Sequence, residues 1–205
     1  MIEKNRYPLN SYRIRDLLLA STLLILFSPL FLLICLGLYL SQGRVFFVQT
    51  RPGLDEKPFR LIKFSTLYDA APGQDEAANQ RARLTPLGKY LRRLSLDELP
   101  QLLNVLKGDM SLVGPRPLLM EYLQLYAPEE RARHQVLPGI TGLAQVNGRN
   151  ALSFKQRFQY DLWYVQHKSH WLDIKILLKT LLNLLRPTGV YANAHTTSPK
   201  FDGTN

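Results

Sequence analysis

The sequence predicts a helix-rich α/β chain attached to a membrane, with residues 1–43 as an N-terminal helix-break-helix segment with basic flanks and residues 44–205 as a globular domain. Three observations carry this. Residues 17–40 are twenty-four residues without a charge, long enough to cross a hydrocarbon core of about 30 Å. Two short β-branched and aromatic runs follow it, at residues 45–49 and 59–64. Beyond them, leucine stripes at helical spacing alternate with turns marked by Gly and Pro.

The apolar run is too long for a signal peptide, and no small-residue cleavage site follows it. Ser28-Pro29 falls at its midpoint, where proline removes a hydrogen bond and the serine hydroxyl can meet a freed carbonyl. Each half is then about 16–18 Å long at 1.5 Å per residue, roughly half a bilayer. Cations flank both sides: Lys4, Arg6, Arg13 and Arg15 before, Arg44 and Arg51 after. Since positive charge marks the cytoplasmic side, neither end favours translocation. The expectation is a re-entrant hairpin with both ends cytoplasmic; a proline-kinked spanning helix produces the same apolar pattern.

A net charge of +10 and a pI near 9.8 point to an anionic partner: nucleic acid, an acidic membrane surface or a phosphorylated substrate. The cations are not interleaved with aromatics, and no RNP, KH or zinc-finger pattern appears, which argues against nucleic acid. Cys35 is the single cysteine, so no internal disulfide is possible.

In the globular part, residues 45–49 and 59–64 read as a strand pair around a turn-rich segment, with Lys63 near the end of the second strand. Residues 68–80 are polar and small, a loop. Residues 81–93 carry five cations and no acid: Arg81, Arg83, Lys89, Arg92 and Arg93. They suit an anionic surface, or simply a solvated helix face.

Residues 95–117, SLDELPQLLNVLKGDMSLVGPRP, concentrate the chemistry. Pro100 is tolerated in a first helical turn, which makes Asp97 the expected N-cap, with Leu99, Leu102, Leu103 and Leu106 as the buried stripe and Gly108 as the stop. Asp97 and Glu98 then stand at a positive helix end, which favours their ionised forms and a cation between them. A carboxylate there can ligate Mg²⁺ or attack phosphorus. In Gly114-Pro115-Arg116-Pro117 two rings stiffen the backbone around one guanidinium suited to phosphate. The plain alternative is that Asp97 only caps and Arg116 only pairs with a surface acid.

Further along, Asp109 is either a supporting carboxylate or a turn residue, and His134, beside Arg131 and Arg133, reads as a surface histidine. Residues 138–150 read as a glycine-rich loop in which Gln145, Asn147 and Arg149 offer polar groups and the glycines allow close backbone approach to a ligand. Ser153 caps a helix with Phe154, Phe158, Leu162 and Val165 on one face. Residues 171–185 mix a leucine face with Trp171, Asp173, Lys175 and Lys179, as in a helix lying in a membrane interface or an amphipathic helix packed on the core. An irregular tail follows.

The run at residues 95–117, followed by Pro138-Gly139-Ile140-Thr141-Gly142 and Gln145-Val146-Asn147-Gly148-Arg149, resembles the bacterial sugar transferases, specifically the small monotopic phosphoglycosyl transferases of the PglC type. The likeness covers almost the whole chain. At residues 63–67, KFSTL departs from the family's signature by lacking a second cation and a methionine. The resemblance implies a compact domain dominated by helices along a membrane surface, at the cytoplasmic face of a bacterial inner membrane. It implies transfer of a phosphosugar from a UDP-sugar, with UDP-N,N′-diacetylbacillosamine one such donor, to undecaprenyl phosphate with release of UMP, the first membrane step of glycoconjugate assembly. It further implies Asp97 as nucleophile, Mg²⁺ held by Asp97 and Glu98, and phosphates neutralised by Lys63, Arg92 and Arg116. Gln145, Asn147 and Arg149 are expected at the nucleotide, and Asp161 and Asp173 match acidic positions of the family that serve either substrate binding or structural ion pairs. Two rival readings stand beside it: direct transfer in a ternary complex with Asp97 as metal ligand only, and a non-catalytic basic module that binds lipid or nucleic acid.

Overall fold

The computed structural model describes residues 10–69, 83–148, 151–185 and 200–203. Helix α1 (Ser11–Leu26), capped by the Asn10 side chain, and helix α2 (Ser28–Gln42) meet at Phe27 with a bend of 63°. The break lies one residue ahead of Ser28-Pro29. Pro29 stands in the first turn of α2, where its missing N–H has no helical partner to lose, and the Ser28 hydroxyl donates to the Ile25 carbonyl at 2.8 Å. Neither helix alone is long and apolar enough to cross a membrane, whereas the bent pair together is.

Strands β1 (Phe46–Pro52) and β2 (Pro58–Phe64) pair antiparallel, with Phe47 opposite Lys63 and Arg51 opposite Phe59. Helix α3 (Pro86–Arg93) is capped by Thr85 and leads through a 3-10 turn, Leu96–Glu98, to α4 (Gln101–Lys107), which Gly108 closes at φ 93°. Two short parallel strands, β3 (Ser111–Val113) and β4 (Gly139–Thr141), bracket two 3-10 segments. Helices α5 (Leu143–Asn147), α6 (Phe154–His167) and α7 (His170–Leu185) complete a helix-dominated fold.

Three expectations change at this level. Residues 139–147, read as a loop, form β4 and α5, and their glycines serve chain-to-chain contact. A Cβ on Gly114 would lie 2.3 Å from the Leu137 carbonyl oxygen, and one on Gly139 would lie 2.1 Å from the Gly114 nitrogen, so only glycine lets these backbones meet. On α6 the buried set is Phe154, Phe158, Asp161 and Tyr164, because an ion pair and a tyrosine hydroxyl take inward positions that the apolar stripe assigned to Leu162 and Val165. His134 is buried, and burial with the adjacent Arg133 charge brings its pKa down to about 4.

The main core joins α1, β2, α4 and α7 through Ala20, Leu61, Leu102, Val105, Met110 and Ile176. Polar clamps hold the same elements. Arg13 donates to the carbonyls of Val105 and Leu106 at the end of α4. Asp16 accepts from the Ser111 hydroxyl at 2.5 Å, and Arg15 pairs with Asp173 at 2.7 Å. Asn104 on α4 accepts from the Ile62 amide and donates to the Arg60 carbonyl and to Asp109, tying α4 to β2. Asp109 is therefore a supporting turn carboxylate.

This polarity is turned inside out on the other side of α1, α2 and α7. Asp173, Thr180 and Asn183 of α7 face inward, to Arg15, Thr141 and the Val146 carbonyl. Trp171, Ile174, Leu178, Leu181, Leu182 and Leu185 face outward at helical spacing. Ile25 and Leu40 are 74% and 75% exposed. Isolated exposed leucines are ordinary, but a row of them along three helices marks a surface that something apolar covers.

Candidate active site

Ser95 takes φ 56°, a left-handed conformation uncommon for a residue with a side chain, and so redirects the chain between α3 and α4. Asp97 thus does not cap α4. Pro100 occupies the cap position, and Asp97 and Glu98 stand on the preceding 3-10 turn. Facing them, β2 brings Lys63, α3 brings Arg92, and the segment after β3 brings Arg116. The resulting cluster unites five of the expected site residues.

Glu98 is the ionic centre. Its Oε1 accepts from Lys63 Nζ at 3.0 Å and from Arg116 Nη2 at 2.6 Å, and its Oε2 accepts from Arg116 Nη1 at 3.3 Å. Burial alone would push this carboxyl up, yet Arg116 and Lys63 outweigh it and hold Glu98 well below the usual carboxylate range. Lys63 is pushed down by burial, against the pull of Glu98.

Asp97 has the opposite balance. Among the described residues it forms no ion pair, and its pKa is raised by burial and by the Glu98 charge, with Lys63, Arg92 and Arg116 opposing from a distance. Arg92 spends its Nε on the Thr66 hydroxyl at 2.8 Å. One carboxylate is thus locked in ion pairs and its neighbour is left uncommitted among three cations. No group of three or more His, Cys, Asp or Glu side chains able to hold a metal occurs among the described residues. Both Glu98 oxygens are engaged by cations, so the shared Asp97–Glu98 cation site that adjacency in sequence suggests would have to share Glu98 with Lys63 and Arg116.

Other expected residues lie elsewhere. Asp161 is buried in a pair with Arg133 at 2.7 Å, and Arg133 also donates to the Arg116 carbonyl at 2.8 Å, so Asp161 braces the Arg116 backbone from behind. Asp173 is fully buried between Arg15 and the Tyr164 hydroxyl, 2.8 Å away. Both carboxylates are spent on structural partners. The amides of Gln145 and Asn147 donate to the carbonyls of Ile140 and Leu143, and Lys179 donates to Asn147 at 2.6 Å. Arg149 lies outside the described residues, as do Arg81 and the loop at 70–80.

A cavity of about 230 Å³ opens beside Lys63 and Arg116. Sequence reading did not assign its other polar lining: Arg51, Gln101, Tyr122 and Arg157. A signal for Arg51 was present, since strict alternation along β1 puts Phe47, Gln49 and Arg51 on the less exposed face. For Arg157 no comparable signal exists, because it sits beside the apolar stripe of α6 as countless surface arginines do.

Known proteins resemble this chain along most of its length. The profile of the family described as bacterial sugar transferase matches residues 9–187. An uncharacterized sugar transferase, EpsL, of Bacillus subtilis is 49% identical over 192 residues, covering 93% of this chain and 95% of EpsL. A UDP-glucose:undecaprenyl-phosphate glucose-1-phosphate transferase of Caulobacter vibrioides is 45% identical over 190 residues, covering 87% of this chain and 71% of that protein. The exopolysaccharide production protein ExoY of Rhizobium meliloti is 39% identical over 194 residues, covering 86% of each. With the profile spanning nearly all of the chain and relatives aligned along most of their own length, the chain belongs to the bacterial sugar transferase family.

Proposed function

We propose that the chain transfers a sugar phosphate from a UDP-sugar to undecaprenyl phosphate and releases UMP, by way of a covalent phosphosugar on Asp97. The observation that carries this is the division of labour within the dyad. Glu98 takes the ion pairs of Lys63 and Arg116, which leaves the Asp97 carboxylate uncommitted beside cations able to offset phosphate charge. Its raised pKa makes it a more basic carboxylate than usual. In the first half-reaction an Asp97 oxygen attacks the β-phosphorus, the bond from that phosphorus to the bridging oxygen breaks, and UMP departs with the electron pair. In the second, an oxygen of undecaprenyl phosphate attacks the same phosphorus, the aspartyl bond breaks, and the carboxylate is restored. Lys63 and Arg116 stay in place throughout, and Glu98 keeps them oriented.

Mg²⁺ fits this site through Asp97 together with donor phosphate oxygens and water, the one-carboxylate set usual for Mg²⁺ at phosphate sites, and there it would offset diphosphate charge. Names of the relatives make UDP-glucose the first donor to try, ahead of UDP-N,N′-diacetylbacillosamine. The outward apolar rows of α1, α2 and α7 support a re-entrant hairpin and an interfacial helix at the cytoplasmic face of a bacterial inner membrane.

With a panel of UDP-sugars and Mg²⁺ but no undecaprenyl phosphate, protein in nanodiscs should release UMP in a near-stoichiometric burst. EDTA should remove the burst, and Asp97→Asn should lower it more than about 10³-fold. Release only when undecaprenyl phosphate is present contradicts the covalent route and favours direct transfer. Glu98→Gln removes a like charge beside Asp97 and frees Lys63 and Arg116 to act on it, so the Asp97 pKa must fall. The acid limb of the kcat/KM profile, where activity is lost as Asp97 protonates, should accordingly move to lower pH; an unmoved or raised limb assigns that limb to another group. In a Cys35→Ser background, Lys4→Cys and Arg44→Cys should both resist an impermeant maleimide in intact spheroplasts and react after permeabilisation. Labelling at residue 4 in intact spheroplasts is incompatible with the hairpin.

A further inference from the structure

Four cations, Arg51, Lys63, Arg116 and Arg157, line the cavity of about 230 Å³. Glu98 accounts for Lys63 and Arg116. Arg51 and Arg157 reach the same space from the inner face of β1 and the first turn of α6. The Arg51 Nη2 donates to Gln49 at 2.6 Å, while its Nε is buried with no hydrogen-bond partner among the described residues. Arg157 donates its Nε to the Leu152 carbonyl at 3.1 Å and lays its guanidinium over the Phe154 ring, 4.6 Å from the centroid. Burial and then repulsion by Arg116 bring the Arg51 pKa down to about 10 and lower that of Arg157. Gathering half-buried like charges costs free energy that an anion between them returns.

The remaining wall is aromatic and apolar, with Tyr122 and Phe154 meeting edge to face at 5.8 Å. Two guanidiniums beside one another match the geometry of a phosphate. A polyprenyl chain needs a long apolar path, and the outward apolar surface lies instead along α1, α2 and α7. On the reading that the donor is a UDP-sugar, we infer that Arg51 and Arg157 seat the nucleoside phosphate that leaves, while the transferred phosphate stays with Asp97, Lys63 and Arg116. The nucleotide then sits away from Gln145 and Asn147, whose amides are already engaged with backbone carbonyls.

The test is equilibrium binding of UDP, which carries no sugar to transfer, to the full-length protein in nanodiscs by calorimetry. Arg51→Gln and Arg157→Gln should each weaken UDP binding about tenfold or more, the range expected for loss of a charged hydrogen bond. Lys89→Gln, an exposed cation of α3, should leave it unchanged. Because Arg51→Gln relieves repulsion, its Tm without nucleotide should stay level or rise; a fall in Tm that accompanies the lost affinity indicates a structural role and overturns the assignment. Binding within twofold of wild type in both variants overturns the seat while leaving the UDP-sugar donor intact. A wild-type protein that does not bind UDP at all overturns the donor reading and the seat together.

Discussion

The site depends on one carboxylate held between two cations from distant parts of the chain. Glu98 joins Lys63 of β2 to Arg116 of the Gly-Pro-Arg-Pro segment, so the antiparallel pair, the turn before α4 and the end of β3 share one ionic node. Partly buried ion pairs add little net stability unless their geometry is fixed by the surroundings. Here it is fixed on each side. Asn104 fastens α4 to β2, Arg133 and Asp161 fasten the Arg116 carbonyl, and the Gly114–Gly139 contact fastens the backbone that carries the arginine. Removing Glu98 would leave two cations beside Asp97 without a partner; removing Asp97 would break none of these pairs.

The distribution of polarity in the helices follows from the same need. Arg13, Asp16 and Asp173 point inward and bind α1 and α7 to α4, β3 and α6, while leucines and Trp171 point outward. In water such helices would be turned round. The arrangement suits an apolar medium, toward which the leucine rows would turn while the polar side chains keep their partners inside the protein. The helices that present the apolar surface are thus packed directly on the framework of the site.

Much of this was legible in the residues themselves. The apolar run with its central Ser-Pro, the strand pair, the Gly108 stop and the Ser153 cap all carry local signals, and the fold contains them. The concentration of chemistry at residues 95–117 was legible as well, because acids at a turn and an arginine between prolines are unusual together. What local pattern could not show is which partner each charge takes. Adjacency made Asp97 and Glu98 look equivalent, whereas Lys63, thirty-five residues away, distinguishes them. Asp161 and Asp173 looked available until Arg133 and Arg15 arrived from other elements. Glycines 139 and 142 looked ready for a ligand because nothing in their neighbourhood reveals that Gly114 will lie against them. The left-handed Ser95 has no sequence signature either, and it moved the start of α4 past Asp97.

The central claim is that Asp97, kept free by Glu98, becomes bonded to phosphorus. The most direct measurement is mass spectrometry of the protein quenched after mixing with UDP-glucose and Mg²⁺ in the absence of lipid, followed by peptide mapping. A mass increase equal to one hexose phosphate on the peptide containing Asp97, removed on adding undecaprenyl phosphate, is the predicted result. An unmodified protein that nonetheless turns over when donor and lipid are both present, or an adduct mapped to Glu98, would contradict the account.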